Sequence, residues 1–166
     1  MLNKPAGVVC ATRDRAHRTV LDLLDEPNKT GLHVAGRLDI DATGLVLITD
    51  DGEWSHHITS PRHKQPKTYR VELAEPLTDV ARLALEAGVQ LNGEPRPCAP
   101  AGVEVVAERV LRLTLTEGKY HQVKRMLAAV GNHVTALHRE RIGSIVLDPA
   151  LPEGGYRQLL PEEVRF

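Results

Sequence analysis

Residues 36–52, Gly36-Arg37-Leu38-Asp39-Ile40-Asp41-Ala42-Thr43-Gly44-Leu45-Val46-Leu47-Ile48-Thr49-Asp50-Asp51-Gly52, constrain this chain more than any other stretch. An apolar, β-branched run follows Gly44 and stops at Asp51-Gly52, a strong turn signal. That pattern predicts a short buried strand over Val46–Thr49, with a polar loop leading into it. Arg37 and Asp39 sit two residues apart in the loop, where polar side chains can be held without being solvated away. A carboxylate beside an arginine is usually a structural ion pair, so this segment needs support from the rest of the chain before it implies chemistry.

Elsewhere the signals are of ordinary kinds. Leu2 to Ala11 reads as a short strand following Lys4-Pro5-Ala6-Gly7, a turn-like entry, and Thr19 can cap a short helix through Leu24. Glu53 to Thr59 reads as a short helix before Pro61, and Lys67 to Leu73 alternates as a strand. Thr78 offers an N-cap for a helix to about Ala87, with Gly88 at its C-terminus. Val103–Val106 and Val110–Thr116 form a strand pair, and Val123, Met126, Leu127 and Val130 mark one apolar helical face closed by Gly131. Leu137 to Leu147 alternates again. Neighbouring strands with helices between them predict an α+β domain built on a largely antiparallel, mixed sheet flanked by helices.

At 166 residues the chain fits one domain spanning 1–166, or two subdomains sharing a sheet with a soft boundary near Gln65-Pro66 or within Asn92–Pro100. A chain of this length buries roughly 70% of its unfolded surface, enough for a core without staples. With aromatics at 3%, that core must rest on Leu, Val, Ile and Ala. Cys10 and Cys98 are too few for a disulfide framework or a zinc site, which points to a reducing, cytoplasmic setting. The histidines do not make a metal site either. His56 and His57 are adjacent and diverge, and His133 and His138 lack a third ligand at useful spacing.

The net charge of -1 conceals three basic clusters: Arg62-His63-Lys64 with Lys67; Lys119, His121, Lys124 and Arg125; and His138, Arg139 and Arg141. Acidic residues gather elsewhere, so one positive face is compatible with a near-neutral sum. The middle cluster lies in Glu117-Gly118-Lys119-Tyr120-His121-Gln122-Val123-Lys124-Arg125-Met126, on a turn and the first turn of a helix. Cations there oppose the helix dipole, a hint of an anionic partner.

Taken in order, Leu2-Asn3-Lys4-Pro5, Gly36-Arg37-Leu38-Asp39, Thr59-Ser60-Pro61-Arg62-His63, Lys67-Thr68-Tyr69-Arg70-Val71, the Lys119–Met126 segment and His138-Arg139-Glu140-Arg141-Ile142-Gly143 resemble the bacterial pseudouridine synthases over nearly the whole chain. The likeness is strongest to the branch that modifies 16S ribosomal RNA. The resemblance implies the pseudouridine synthase fold, with an active-site cleft across the sheet. It implies a site-specific isomerase acting on ribosomal RNA or a small-subunit assembly particle, without cofactor, and a monomer. Members of that branch usually begin with an S4-type RNA-binding domain. This chain starts directly at the catalytic part, so a catalytic domain without that module is expected.

By the same resemblance Asp39 is the catalytic carboxylate, attacking the sugar or the base, or removing a sugar proton. Tyr69 matches the active-site tyrosine that stacks on the target base. Lys124 stands where most such enzymes have an arginine paired with the aspartate; it keeps the charge and loses the bidentate fork, with Arg125 as the alternative partner. RNA contacts are expected from Arg37, Arg62, His63, Lys67, Lys119, His121, Gln122 and Arg125. Arg37 either grips a phosphate or fills the stack vacated by a flipped base, or else forms a plain salt bridge to Asp39 or Asp41. Three other readings compete: a synthase acting on 23S ribosomal RNA or transfer RNA, a non-catalytic RNA-binding or ribosome-assembly factor, and a glycosidase, which would need a second carboxylate at a set distance.

Overall fold

The computed structural model describes residues 1–63 and 65–165; Lys64, a member of the first basic cluster, lies outside the described residues. In chain order the elements are β1 (Leu2–Lys4), β2 (His33–Ala35), β3 (Thr43–Thr49), α1 (Gly52–Thr59), β4 (Lys67–Leu73), α2 (Asp79–Ala87), β5 (Gly102–Ala107), β6 (Val110–Leu115), α3 (Gln122–Ala129), β7 (Val134–Ile142), β8 (Ile145–Val146) and α4 (Pro161–Val164), with a 3₁₀ turn at Val20–Leu23. The chain forms two compact units, Met1–Gln65 with Arg139–Phe166, and Pro66–His138. Among the described residues, no helix is long and apolar enough to cross a membrane.

In the first unit the strand order is β1-β3-β7, with β2 also paired to β3 and β8 to β7. β1 runs antiparallel to β3 with Leu2 opposite Val46 and Lys4 opposite Gly44. Gly44 to Leu47 are buried in unbroken succession, as expected of a strand covered on both faces. Around them Ala35, Ile58, Ile142 and Ile145 close the core, and Trp54, Leu147, Leu151 and Leu159 pack against it. Asp51 caps α1 by accepting the Trp54 N–H at 3.1 Å. Thr19 and Asp22 form a reciprocal capping box on the 3₁₀ turn, so the expected helical segment is there, in its tighter form.

Several strands differ from the sequence reading: β3 starts at Thr43 instead of Val46, β2 has no counterpart there, and β1 and β7 differ most. β1 ends at Lys4 because Pro5 has no N–H to continue a ladder, and the chain turns instead of running extended to Ala11. The alternating stretch expected over Leu137–Leu147 is a hairpin: β7 starts earlier, at Val134, and turns at Gly143-Ser144 into β8, with Ile142 opposite Ile145.

The second unit has the order β7-β4-β6-β5. β6 alternates cleanly, Leu111, Leu113 and Leu115 inward with Arg112 and Thr114 between them. β4 pairs with it antiparallel, placing Tyr69 opposite Leu113 and Thr68 opposite Thr114, whose hydroxyls meet at 3.0 Å. α2 begins at a Thr78 cap that accepts the Ala81 N–H at 3.1 Å. α3 buries Val123, Met126 and Leu127 on the face its spacing foretold.

Candidate active site

The loop between β2 and β3 is irregular backbone placed against a buried core, so its carbonyl groups need internal donors. Two buried cations provide them. Lys4, 0% exposed, directs its ammonium at Ala42 O (2.7 Å), Pro5 O (3.0 Å) and Ile40 O (3.1 Å). Arg139, 1% exposed, donates Nε to Leu45 O at 2.9 Å and one Nη to Gly36 O at 2.9 Å, with the other reaching Arg37 O at 3.4 Å. The buried Cys10 thiol accepts the Leu38 N–H at 3.3 Å, and Ile40 O also receives the Gly7 N–H at 2.8 Å.

The Gly36, Arg37, Ile40 and Ala42 carbonyls flank Asp39 in the loop. The residue is half-buried, and its own carbonyl closes a turn with the Ala42 N–H at 3.1 Å. Burial pushes the Lys4 ammonium below the ordinary lysine pKa, while Cys10, Asp41 and Asp39 pull it back up. The carboxylates of Asp39 and Asp41 therefore lie within electrostatic reach of a buried cation. Gly44 closes the loop with φ +107; a Cβ there would stand 2.3 Å from Arg139 O and 2.7 Å from Arg139 N. Only glycine lets β3 approach β7 this closely. Arg37 itself points outward and is exposed.

Lys4 and Arg139 escaped the sequence reading as site residues. Arg139 was grouped with His138 and Arg141 as surface charge, yet it is buried, while Arg141 is exposed and His138 half-buried. Parity does not separate them: Arg139 and the exposed Arg141 share the strand face of the buried Leu137.

In the second unit Tyr69 is half-buried on β4, on the same face as Val71 and Leu73, with Lys67 at the start of that row. The Glu117–Arg125 segment forms a tight hydrogen-bonded turn. Gln122, expected to touch RNA, is 4% exposed; its Oε1 accepts the Lys119 N–H and its Nε2 donates to Glu117, both at 2.8 Å. Its role is therefore to shape the turn. Glu117 also accepts the Ala99 N–H at 2.7 Å. Arg125 ties Glu94 (3.1 Å), Asn92 O (2.8 Å) and Tyr120 O (2.8 Å) together, an anchoring role that was not foreseen. Lys119 approaches Glu117 at 4.0 Å, and Lys124 sits half-buried in the first turn of α3, which carries no acidic residue. His121 is the N-cap, in the left-handed region at φ 46, and makes no side-chain capping bond.

Of the remaining expected RNA contacts, Arg62 and His63 are exposed in the first unit after α1. The His63 ring lies 4.1 Å from that of His57. Among the described residues no group of three or more His, Cys, Asp or Glu is arranged to hold a metal ion.

The sequence matches the family described as RNA pseudouridylate synthase over residues 1–129. It is 59% identical over 164 residues to ribosomal small subunit pseudouridine synthase A of Escherichia coli (strain K12), covering 99% of this chain and 71% of that protein. The protein of the same name from Vibrio cholerae is 56% identical over 164 residues with the same coverage. Among solved structures, a pseudouridylate synthase crystal structure aligns with a TM-score of 0.94 at 51% identity, over 98% of this chain and 70% of that one. The archaeal box H/ACA sRNP Nop10-Cbf5 complex shares the fold at 18% identity, with a TM-score of 0.58 over 92% of this chain and 50% of that one.

Proposed function

The chain belongs to the RNA pseudouridylate synthase family, and from that premise we propose that it isomerises a specific uridine of 16S ribosomal RNA to pseudouridine. The observation that carries the small-subunit assignment is 59% identity, across 99% of this chain, to an enzyme named for the ribosomal small subunit.

The reaction breaks the bond between ribose C1′ and uracil N1, turns the base, joins C1′ to C5, and moves the C5 proton out while N1 gains one. It needs no redox partner and no group donor. What the protein must supply is a fixed carboxylate, a surface that retains the detached base, and charge to hold the RNA. Asp39 takes the first role, and the loop supports it: its flanking carbonyls are pinned by Lys4 and Arg139, so the carboxylate's position is set before RNA arrives. Tyr69 stacks on the target base, with Lys124 as the cationic partner of the catalytic carboxylate. The uridine must be flipped from folded RNA, which costs a few kcal/mol. The exposed Arg37 is suited to grip the phosphate beside it or fill the vacated stack. The RNA partner is 16S RNA, free or in a partly assembled particle.

The test is pseudouridine mapping, by carbodiimide modification and primer extension, on 16S and 23S RNA and on partly assembled small-subunit particles. A single new stop in 16S RNA, absent with Asp39→Ala of unchanged fold, is the expected result. A stop in 23S RNA alone overturns the substrate assignment, and full activity of Asp39→Ala overturns the catalytic one.

A further inference from the structure

Tyr120 is 76% exposed, in a chain whose aromatic content is only 3%. An aromatic ring that buries so little contributes almost nothing to a core, yet this one rests on a neighbouring ring and on a hydrogen-bonded turn. Its ring is stacked on that of His121, with centroids 3.9 Å apart and planes inclined by 18°. Adjacent side chains normally diverge. Here they align at His121, the only non-glycine residue with positive φ among the described residues. A left-handed conformation at such a residue is unfavourable and persists where the surroundings impose it, commonly at functional sites. The surroundings are visible: the Tyr120 carbonyl accepts Arg125 Nη1 at 2.8 Å, and the same guanidinium is fastened to Glu94 and Asn92 O. Gln122 fixes the other side of the turn through Lys119 N.

One face of the Tyr120 ring is thus covered by an imidazole, and the ring as a whole stands in solvent on a rigid turn. The turn and its hydrogen-bonded neighbours carry a positive excess: Lys119 is paired with Glu117 and Arg125 with Glu94, and Arg96 and Lys124 add to them. An aromatic face flanked by cations matches an unpaired nucleobase with phosphates on either side. An apolar peptide would gain nothing from the cations, and a duplex end would offer no free single base.

We propose that Tyr120 is a stacking platform for an unpaired base of the RNA substrate, a base other than the target uridine. This rests on the RNA-modifying reading above. The platform is pre-organised by the His121 stack and the Arg125 anchor, so the base meets a surface already ordered.

The test uses the protein with an unstructured, adenosine-rich RNA oligonucleotide carrying 2-aminopurine, alongside 16S RNA mapping in the same preparations. Affinity of Tyr120→Ala for the oligonucleotide should fall roughly 5- to 150-fold, as loss of one base–aromatic stack implies. Tyr120→Phe and Tyr120→Trp should keep it. Stacking quenches 2-aminopurine; that quenching should disappear in Tyr120→Ala and survive in Tyr120→Phe. Because stacking is not ionic, the salt slope should be unchanged in Tyr120→Ala. Undiminished affinity and quenching in Tyr120→Ala overturn the platform, as does failure of the unaltered protein to bind the oligonucleotide. If quenching depends on Tyr120 but no RNA is isomerised, the platform stands and the enzymatic reading falls. If 16S RNA is isomerised and Tyr120→Ala binds normally, the reverse holds.

Discussion

Replacing Lys4 with methionine tests whether the loop that carries Asp39 is held from beneath. The side chain keeps its length and loses the ammonium that bonds Pro5, Ile40 and Ala42 carbonyls. Ile40 O retains the Gly7 N–H at 2.8 Å, so the loss falls mainly on the other two. Hydrogen bonds from a charged donor contribute about 1.5–3 kcal/mol each. Set against them, methionine removes the cost of burying an ammonium, which is several kcal/mol. What remains is the penalty of two carbonyls left without a donor, about 1–3 kcal/mol each, so the net destabilisation should be about 2–6 kcal/mol, against the 5–15 kcal/mol that a domain typically has. Its loop is no longer fixed, and a displacement of about 1 Å costs on the order of 100-fold in rate. Urea unfolding followed by circular dichroism gives the first quantity, and single-turnover pseudouridine formation on 16S RNA the second. Asp39→Ala should lose activity with its unfolding midpoint unchanged; Lys4→Met should lose both. A Lys4→Met protein with the original midpoint and a rate within about twofold of normal would refute the reasoning.

Two further outcomes follow from the same unit. Gly44→Ala places a Cβ 2.3 Å from a backbone oxygen at φ +107, and should cost about 3 kcal/mol or more, read as a lowered unfolding midpoint. Glu163 is held to a pKa of about 2, below its ordinary 4.5, first by the Arg157 guanidinium at 2.7 and 3.0 Å and then by the Leu160 N–H. The folded chain therefore binds fewer protons than the unfolded one between those values. The contribution is complete above pH 4.5 and fades as pH falls towards 2. Solvent screening reduces it to about 1 kcal/mol. Thermal unfolding from pH 6 to 3 should fall less steeply for Glu163→Gln than for the unaltered protein; parallel curves would contradict this.

What could be read from the sequence was local. β4 and α2 begin and end where alternation, the Thr78 cap and Gly88 put them, because each is specified by residues within a turn or two of itself. β2 has only three residues, too few to show a period, and its pairing with β3 makes it a strand. The loop around Asp39 was recognisable as a motif, but nothing within it says how an irregular segment can sit against a core. That answer comes from Lys4, which is 36 and 38 residues from its acceptors in the loop, and Arg139, 94 and 103 residues from its closest ones. In a linear reading Lys4 is part of a turn-like segment and Arg139 one member of a basic cluster.

Their burial follows from a single requirement. Asp39 sits on backbone that is neither helix nor strand. Such backbone does not satisfy its own carbonyls, and against a core water is not there to do so. Apolar residues can fill the space but cannot donate. A lysine offers three donors from a point and an arginine five from a plane, which suits the three carbonyls around Lys4 and the spread from Gly36 to Leu45 around Arg139. The two cations are therefore not interchangeable. Arg139→Lys keeps the charge but should leave Gly36 O or Leu45 O unpaired, because one ammonium cannot reproduce the reach of the guanidinium fork.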